Sequence, residues 1–152
     1  MKHMIFTMGL PGAGKSRVSI SRYPKAARID PDEYKMAHPD YDPKNPGALH
    51  EWSLKMARKD FDLAVEAGGQ YVVDGTGTNV DRLASKMRHA KLSGFKVTLL
   101  FVMAPLAVAI KRNASRERTV PEQVIRQKAA TIYQAFEIAA QEADEVITIN
   151  NV

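Results

Sequence analysis

Residues 8–16 read Met8-Gly9-Leu10-Pro11-Gly12-Ala13-Gly14-Lys15-Ser16. Glycine packs nothing and costs backbone entropy, so a cluster of glycines means that something must approach the main chain closely. A glycine, four residues and then Gly-Lys-Ser is the phosphate-loop pattern. Its glycines let successive backbone N–H groups turn inward around phosphates, at the start of a helix whose dipole favours negative charge. The apolar run Met4–Met8 before the loop suits a buried strand, and Ser16 to Arg22 can start the helix. This stretch therefore predicts strand, anion cradle and helix in succession, the first unit of a parallel α/β sheet that holds a nucleoside triphosphate.

Outward from the loop, strands and helices alternate. Ala27 to Ile29 reads as a second short strand, ended by Asp30-Pro31-Asp32. Pro46 to Ala67 has helical spacing, with Leu49, Trp52, Met56 and Leu63 as one stripe, widened by Leu54, Phe61 and Val65. Tyr71 to Val73 is a third strand leading into Asp74-Gly75-Thr76-Gly77. Thr78 with Asp81 resembles a capping box for a helix that runs to Gly94. Val97 to Met103 is the longest apolar run and a central strand, and Pro105 opens a helix to about Ser115. Thr119 with Glu122 suggests the cap of one long final helix, its buried stripe running Ile125, Ala129, Ile132, Phe136, Ala139 and Ala143. Val146 to Ile149 is a fifth strand. This order implies a single domain over residues 1–152, a five-stranded parallel sheet with helices on both faces.

Composition narrows the class. At 152 residues, 45% apolar and 26% charged, the chain is an ordinary globular one. It has no cysteine, which excludes a disulfide framework and a thiolate metal site and fits a cytoplasmic location. The apolar N-terminal run is too short for a signal-peptide core or a membrane span, so no membrane association is expected. The formal net charge is +5 and unevenly spread: Asp81 to Lys128 holds eleven basic residues against three acids, while Asp30 to Glu66 is net acidic. Such asymmetry is compatible with a polyanion partner and equally with a solvated basic face.

A switch GTPase would carry a guanine-reading Asn-Lys-x-Asp, and a translocating ATPase a second acid beside Asp74; neither occurs, so the chain reads as a small phosphotransferase. Gly12, Ala13, Gly14, Lys15, Ser16 and Arg17 are the expected contacts to ATP or another triphosphate. Lys15 should reach the β- and γ-phosphates and Ser16 should ligate Mg²⁺. Asp74 at a strand end is a second candidate for Mg²⁺, or a turn former. Asp32, beyond the second strand, could accept a proton from an attacking hydroxyl, although Asp-Pro-Asp is also a turn and N-cap signal. Arg112 and Arg116 lie four apart, so on a helix they share a face and could form a short basic lid over the transferring group; a helix end that complements the dipole is the other reading.

These blocks together resemble the 5′-hydroxyl polynucleotide kinases, over Thr7 to Ser16, Ile29 to Lys35, Asp74 to Asn79, and Val108 to Arg116 with Val120-Pro121. The resemblance implies a P-loop kinase fold, Asp32 as general base toward a 5′-hydroxyl, Arg116 on the donor phosphates, and Lys15 and Ser16 on donor and Mg²⁺. Lys35 falls where those kinases place an arginine on the acceptor's phosphate, and Thr76 joins the residues expected on the acceptor. Asp74-Gly75-Thr76 is not a phosphatase motif, because Val72 stands where a phosphatase needs its second aspartate; the resemblance is compatible with a separate phosphatase or ligase partner. Asp74-Gly75-Thr76 also looks like the zeta-toxin kinases, which phosphorylate a nucleotide sugar. Three functions follow: phosphorylation of 5′-hydroxyl DNA or RNA, with the basic segment Arg82 to Lys91 on the strand's phosphates; phosphorylation of a small molecule; or nucleotide-gated binding without catalysis.

Overall fold

The computed structural model describes all residues except Pro46, Thr76, Thr78, Glu117, Arg118 and Val152. Strand β1 (Lys2–Met8) is central because Met4, Ile5, Phe6 and Met8 give it apolar side chains on both faces, and Met4 to Met8 are all buried. It pairs in parallel with β3 (Gly69–Val73) on one side and β4 (Lys96–Met103) on the other. Strand β2 (Ala27–Ile29) lies outside β3, and β5 (Glu145–Asn150) outside β4, giving the order β2-β3-β1-β4-β5. The chain leaves β1 toward one edge and β4 toward the other. Ligands in open parallel sheets bind beyond strand carboxyl ends at such a reversal.

Alternation sorts the core into two layers. Met4, Phe6 and Met8 of β1, with Leu99 and Phe101 of β4, pack beneath α3 (His50–Ala67), α4 (Val80–Leu92) and α7 (Ile132–Ala140). Ile5, Val72, Leu100 and Val102 point the other way, where Val18 of α1 (Lys15–Arg22) covers them. The predicted α/β class, the parallel sheet and the two helical layers all hold.

Local readings fare less evenly. Helix α3 buries Ser53, Ala57, Phe61 and Ala64, whereas Trp52 and Leu63 of the expected stripe are exposed. Small side chains face inward because they let the helix seat closely. Pro46, the expected helix start, lies outside the described residues, as does Thr78. The N-cap of α4 is Asn79, whose Oδ1 accepts from the Arg82 amide at 3.3 Å. The long final helix is two: α6 (Glu122–Ala129) and α7, separated where Thr131 leaves helical geometry at φ −122° and ψ −5°. Pro121 rather than Thr119 is the N-cap of α6, without a side-chain bond. Ile125, Ile132 and Ala139 are nonetheless buried as expected, so the stripe survives the break.

Candidate functional site

The loop between β1 and α1 folds on itself through Ala13 N–H donating to Leu10 C=O at 3.0 Å. Its glycines are required, Gly12 and Gly14 most plainly. Gly12 (φ +86°) and Gly14 (φ +92°) take left-handed conformations; a Cβ on Gly12 would overlap the Ala109 carbonyl oxygen, and one on Gly14 the Asn151 amide. The first amides of a helix have no partner within it. Among the described residues, those of Gly12, Gly14, Lys15 and Ser16 make no main-chain hydrogen bond, as an anion cradle requires. Ser16 and Arg17 are exposed on this first turn of α1.

Lys15 folds back over the loop, its Nζ donating to Gly9 O at 2.9 Å and Leu10 O at 3.2 Å. The residue keeps partial exposure, but its ammonium is enclosed by protein, and burial pushes its pKa from 10.5 down to about 8. Asp74 and Asp32 oppose that shift, while Lys128 and Arg116 reinforce it. The electrostatic surroundings of Lys15 thus include Asp32, Arg116 and Asp74, three residues singled out in the sequence. Lys128, on α6, was not singled out. The fields of Asp32 and Lys35 act on it in turn, while burial, the leading cause, lowers its pKa. Its sequence signal was weak, one lysine among many on a basic segment.

Opposite the loop, Asp30 caps α2 (Pro31–Ala37): its Oδ1 accepts from the Asp32 amide at 3.0 Å. The turn-and-cap reading of Asp-Pro-Asp is therefore right for Asp30, and the Asp32 carboxylate is not the capping group. Asp32 is partly exposed and lies 3.5 Å from the Nζ of Lys35, which is itself buried. Tyr34 donates to Asp60 of α3 at 2.6 Å, fixing α2 against the longer helix. Burial, then the charges of Asp74 and Asp32, push the Asp30 carboxyl up from 3.8 to about 6. A carboxyl raised in the folded state stabilises the fold below its unfolded pKa and loses that contribution as pH rises through the folded value. Asp30→Asn, which keeps a good N-cap, should therefore stabilise the protein by roughly 1–3 kcal/mol at pH 7 and have little effect near pH 4, as urea unfolding at both values would measure.

Asp74 follows β3 and is almost buried. Thr7 Oγ1 donates to its Oδ1 at 3.0 Å, and Arg28 forms an ion pair with its Oδ2. Burial raises its pKa, and Arg28 first, then Thr7 and Lys15, pull it back. Thr7 Oγ1 also accepts from the Gly75 amide at 3.1 Å, tying the ends of β1 and β3 together. Sequence reading missed Arg28, although a cation within the strand Ala27–Ile29 is itself a signal, since a buried charge must be paired. The described residues contain no cluster of three or more acids or histidines able to enclose a metal. Magnesium normally keeps several waters and uses one or two carboxylates plus the phosphates. The Ser16 hydroxyl on the first turn of α1 and a carboxylate whose oxygens each retain a lone pair fit such a nucleotide-borne ion.

The expected lid differs in its geometry. Helix α5 (Leu106–Ala114) stops before Arg116, so Arg112 and Arg116 do not share a helical face. Arg112 turns to the loop's carbonyl side, its Nη1 donating to Asn151 O at 2.9 Å and Ala13 O at 3.4 Å. Asn151 Nδ2 donates to the same Ala13 oxygen at 2.8 Å, a buttress that sequence reading missed. Buried Asn113 closes the segment beyond α5, donating to Val120 O at 2.6 Å and accepting from Val120 N at 3.0 Å. The Arg116 amide in turn donates to Asn113 O at 3.2 Å. Thr76 lies outside the described residues.

Sheet order, loop and surroundings define the class of P-loop kinases. The zeta toxin family model matches residues 1–152, and the chain belongs to that family. The family is kinase-like, so the chain is a nucleotide-binding protein of the phosphotransferase type. Of the two resemblances in the sequence, this is the one a family match supports along the whole chain. Among solved structures, one from the PezAT chromosomal toxin-antitoxin system of Streptococcus pneumoniae is 17% identical, with TM-score 0.70, over 99% of this chain and 68% of that one. AvrRxo1-ORF1:-ORF2 with ATP is also 17% identical, with TM-score 0.74, over 93% of this chain and 50% of that one. The Pnkp1/Rnl/Hen1 RNA repair complex includes a chain 16% identical, with TM-score 0.68, over 90% of this chain and 45% of that one. At these identities the likeness establishes the fold. The chain spans about half the length of the latter two. No helix among the described residues is long and apolar enough to cross a membrane.

Proposed function

We propose that the protein transfers the γ-phosphoryl group of ATP to the 5′-hydroxyl end of DNA or RNA. One observation supports transfer to a hydroxyl: the charge of Asp32 is among those that act on Lys15, the enclosed ammonium that folds over the phosphate loop. A donor cradle and a proton acceptor then serve one reaction. The loop amides hold the donor's phosphates, and Lys15 leaves the Gly9 and Leu10 carbonyls to neutralise the β- and γ-oxygens. Asp32 takes the proton of the attacking hydroxyl as that oxygen bonds to the γ-phosphorus and the bond to the leaving ADP breaks. Lys35 orients Asp32, and Arg116 and Lys128 supply positive charge for the equatorial oxygens. Arg112 with Asn151 positions the loop from behind. Mg²⁺, held by Ser16 and through water by Asp74, would neutralise charge on the phosphates.

Purified protein incubated with γ-labelled ATP and a panel of acceptors tests the reading. Label should pass to 5′-hydroxyl oligonucleotides and not to their 5′-phosphorylated counterparts. The family match supports a second reading, in which the same groups phosphorylate a small molecule such as a nucleotide sugar. Label on the sugar nucleotide alone would select it. Acceptor-independent hydrolysis without transfer would favour a nucleotide-gated binding module, and any phosphatase or ligase partner would be a separate chain.

A further inference from the structure

The face of the sheet opposite α1 carries a groove between α3 and α4, of about 240 Å³. Its walls are two stripes at helical spacing: Leu54, Arg58 and Phe61 on α3, and Arg82, Lys86 and His89 on α4. Phe61 forms the floor, with Lys86 Nζ 5.9 Å above its ring and the His89 ring 5.8 Å away at its edge. Adjacent helices normally present apolar or oppositely charged side chains to each other. Here Arg58 faces Arg82 and Lys86, and Asp62 is the one acid lining the groove. Among the described residues none of the three cations meets a carboxylate within ion-pair distance. Burial first, then Arg82 and Arg58, lower the pKa of Lys86, so the cations are close enough to repel. The rest of the basic segment behaves differently: Arg88 pairs with Glu142 at 2.9 Å and Lys91 with Asp144 at 3.7 Å.

Resting on the nucleic-acid reading above, we propose that this groove holds the phosphodiester backbone of the acceptor strand on the 3′ side of its reacting end. Both helices precede parallel strands, so both begin at the sheet edge where the phosphate loop lies, and the groove leads away from that edge. The Tyr34–Asp60 bond ties α2, which carries Asp32, to the helix that forms one wall. Arg82 and Lys86 are four residues apart, about 6 Å along the axis, so the cations span more than a single phosphate. Their uncompensated charge suits a chain of phosphates rather than one small anion.

The test uses a fluorescent single-stranded oligonucleotide that already carries a 5′-phosphate, so binding is read without transfer. For Arg58→Gln/Lys86→Gln, affinity should fall about tenfold, and the slope of log K against log salt should become shallower by about 1.4, at about 0.7 for each phosphate no longer neutralised. Phosphorylation of a dinucleotide acceptor should be unchanged, since it does not reach the groove. Should the double variant fold poorly, exposed Arg82→Gln alone should reduce the slope by about 0.7. Unchanged affinity and slope would overturn the proposal, as would polyglutamate displacing the strand at lower charge concentration, which would assign the groove to an acidic protein. Weaker strand binding by the variants, together with transfer by the wild type only to a small molecule, would overturn both the acceptor reading and the groove's place on an acceptor; unchanged strand binding with transfer to 5′-hydroxyl ends would overturn the groove alone.

Discussion

An Asp32→Asn variant is expected to bind ATP normally and to transfer its γ-phosphoryl group about 10²- to 10⁴-fold more slowly, the usual contribution of a positioned general base. Asparagine preserves size and can still meet Lys35, whose Nζ lies 3.5 Å from Asp32, so packing around α2 should persist. What it removes is the capacity to accept a proton. The loss should therefore fall on kcat with little change in KM for ATP, a split that separates a chemical role from a structural one. Equal rates for variant and wild type with the true acceptor would transfer the role to another carboxylate. Asp30 is the less suitable one, since its oxygen is already engaged by the Asp32 amide.

The largest effect on stability is expected at Arg28. Its guanidinium bonds Asp74, donates to Ser19 Oγ at 3.0 Å, and lies 3.4 Å from Glu33, joining β2, α1, α2 and the end of β3. Arg28→Met should cost about 3–5 kcal/mol at neutral pH in urea unfolding, because it strands the charge of a nearly buried Asp74. The sign of the pH dependence follows from the raised pKa of Asp74, which removal of the arginine raises further. Below that pKa the carboxyl is protonated in the folded state and the penalty shrinks; above it, the penalty is fully present. The variant should thus be closer to wild type at pH 5 than at pH 7, and adding Asp74→Asn should recover much of the stability. A uniform deficit at both pH values would mean that the arginine acts through packing alone.

Much of this molecule was legible in its residues. The glycines of the loop, the apolar runs of β1 and β4, and the alternation of short strands with helical stripes led to the parallel sheet and its two layers, because such patterns state burial directly. The conversion of a stripe into one buried face failed for α3. The pattern treats large apolar residues as the buried ones, whereas Ser53 and Ala57 face inward where close approach matters more than side-chain volume. The bend at Thr131 was likewise invisible: nothing in the local spacing interrupts the helix, and docking of α7 against Phe101 and its neighbours decides it.

Residue order was enough to show which chemical groups were at hand: an anion cradle with Lys15 and Ser16, acids after β2 and β3, and cations beyond β4. Their local chemistry depends on neighbours in the chain, which spacing records. Their partners were assigned by folding alone. It joined Arg28 to Asp74, turned Arg112 to the back of the loop, drew Lys128 into the field of Asp32, and sorted Arg88 and Lys91 into ion pairs while leaving Arg58, Arg82 and Lys86 facing one groove. Coulomb energy and desolvation depend on separations through space, and those separations exist only once the crossovers have brought distant segments to one edge of the sheet.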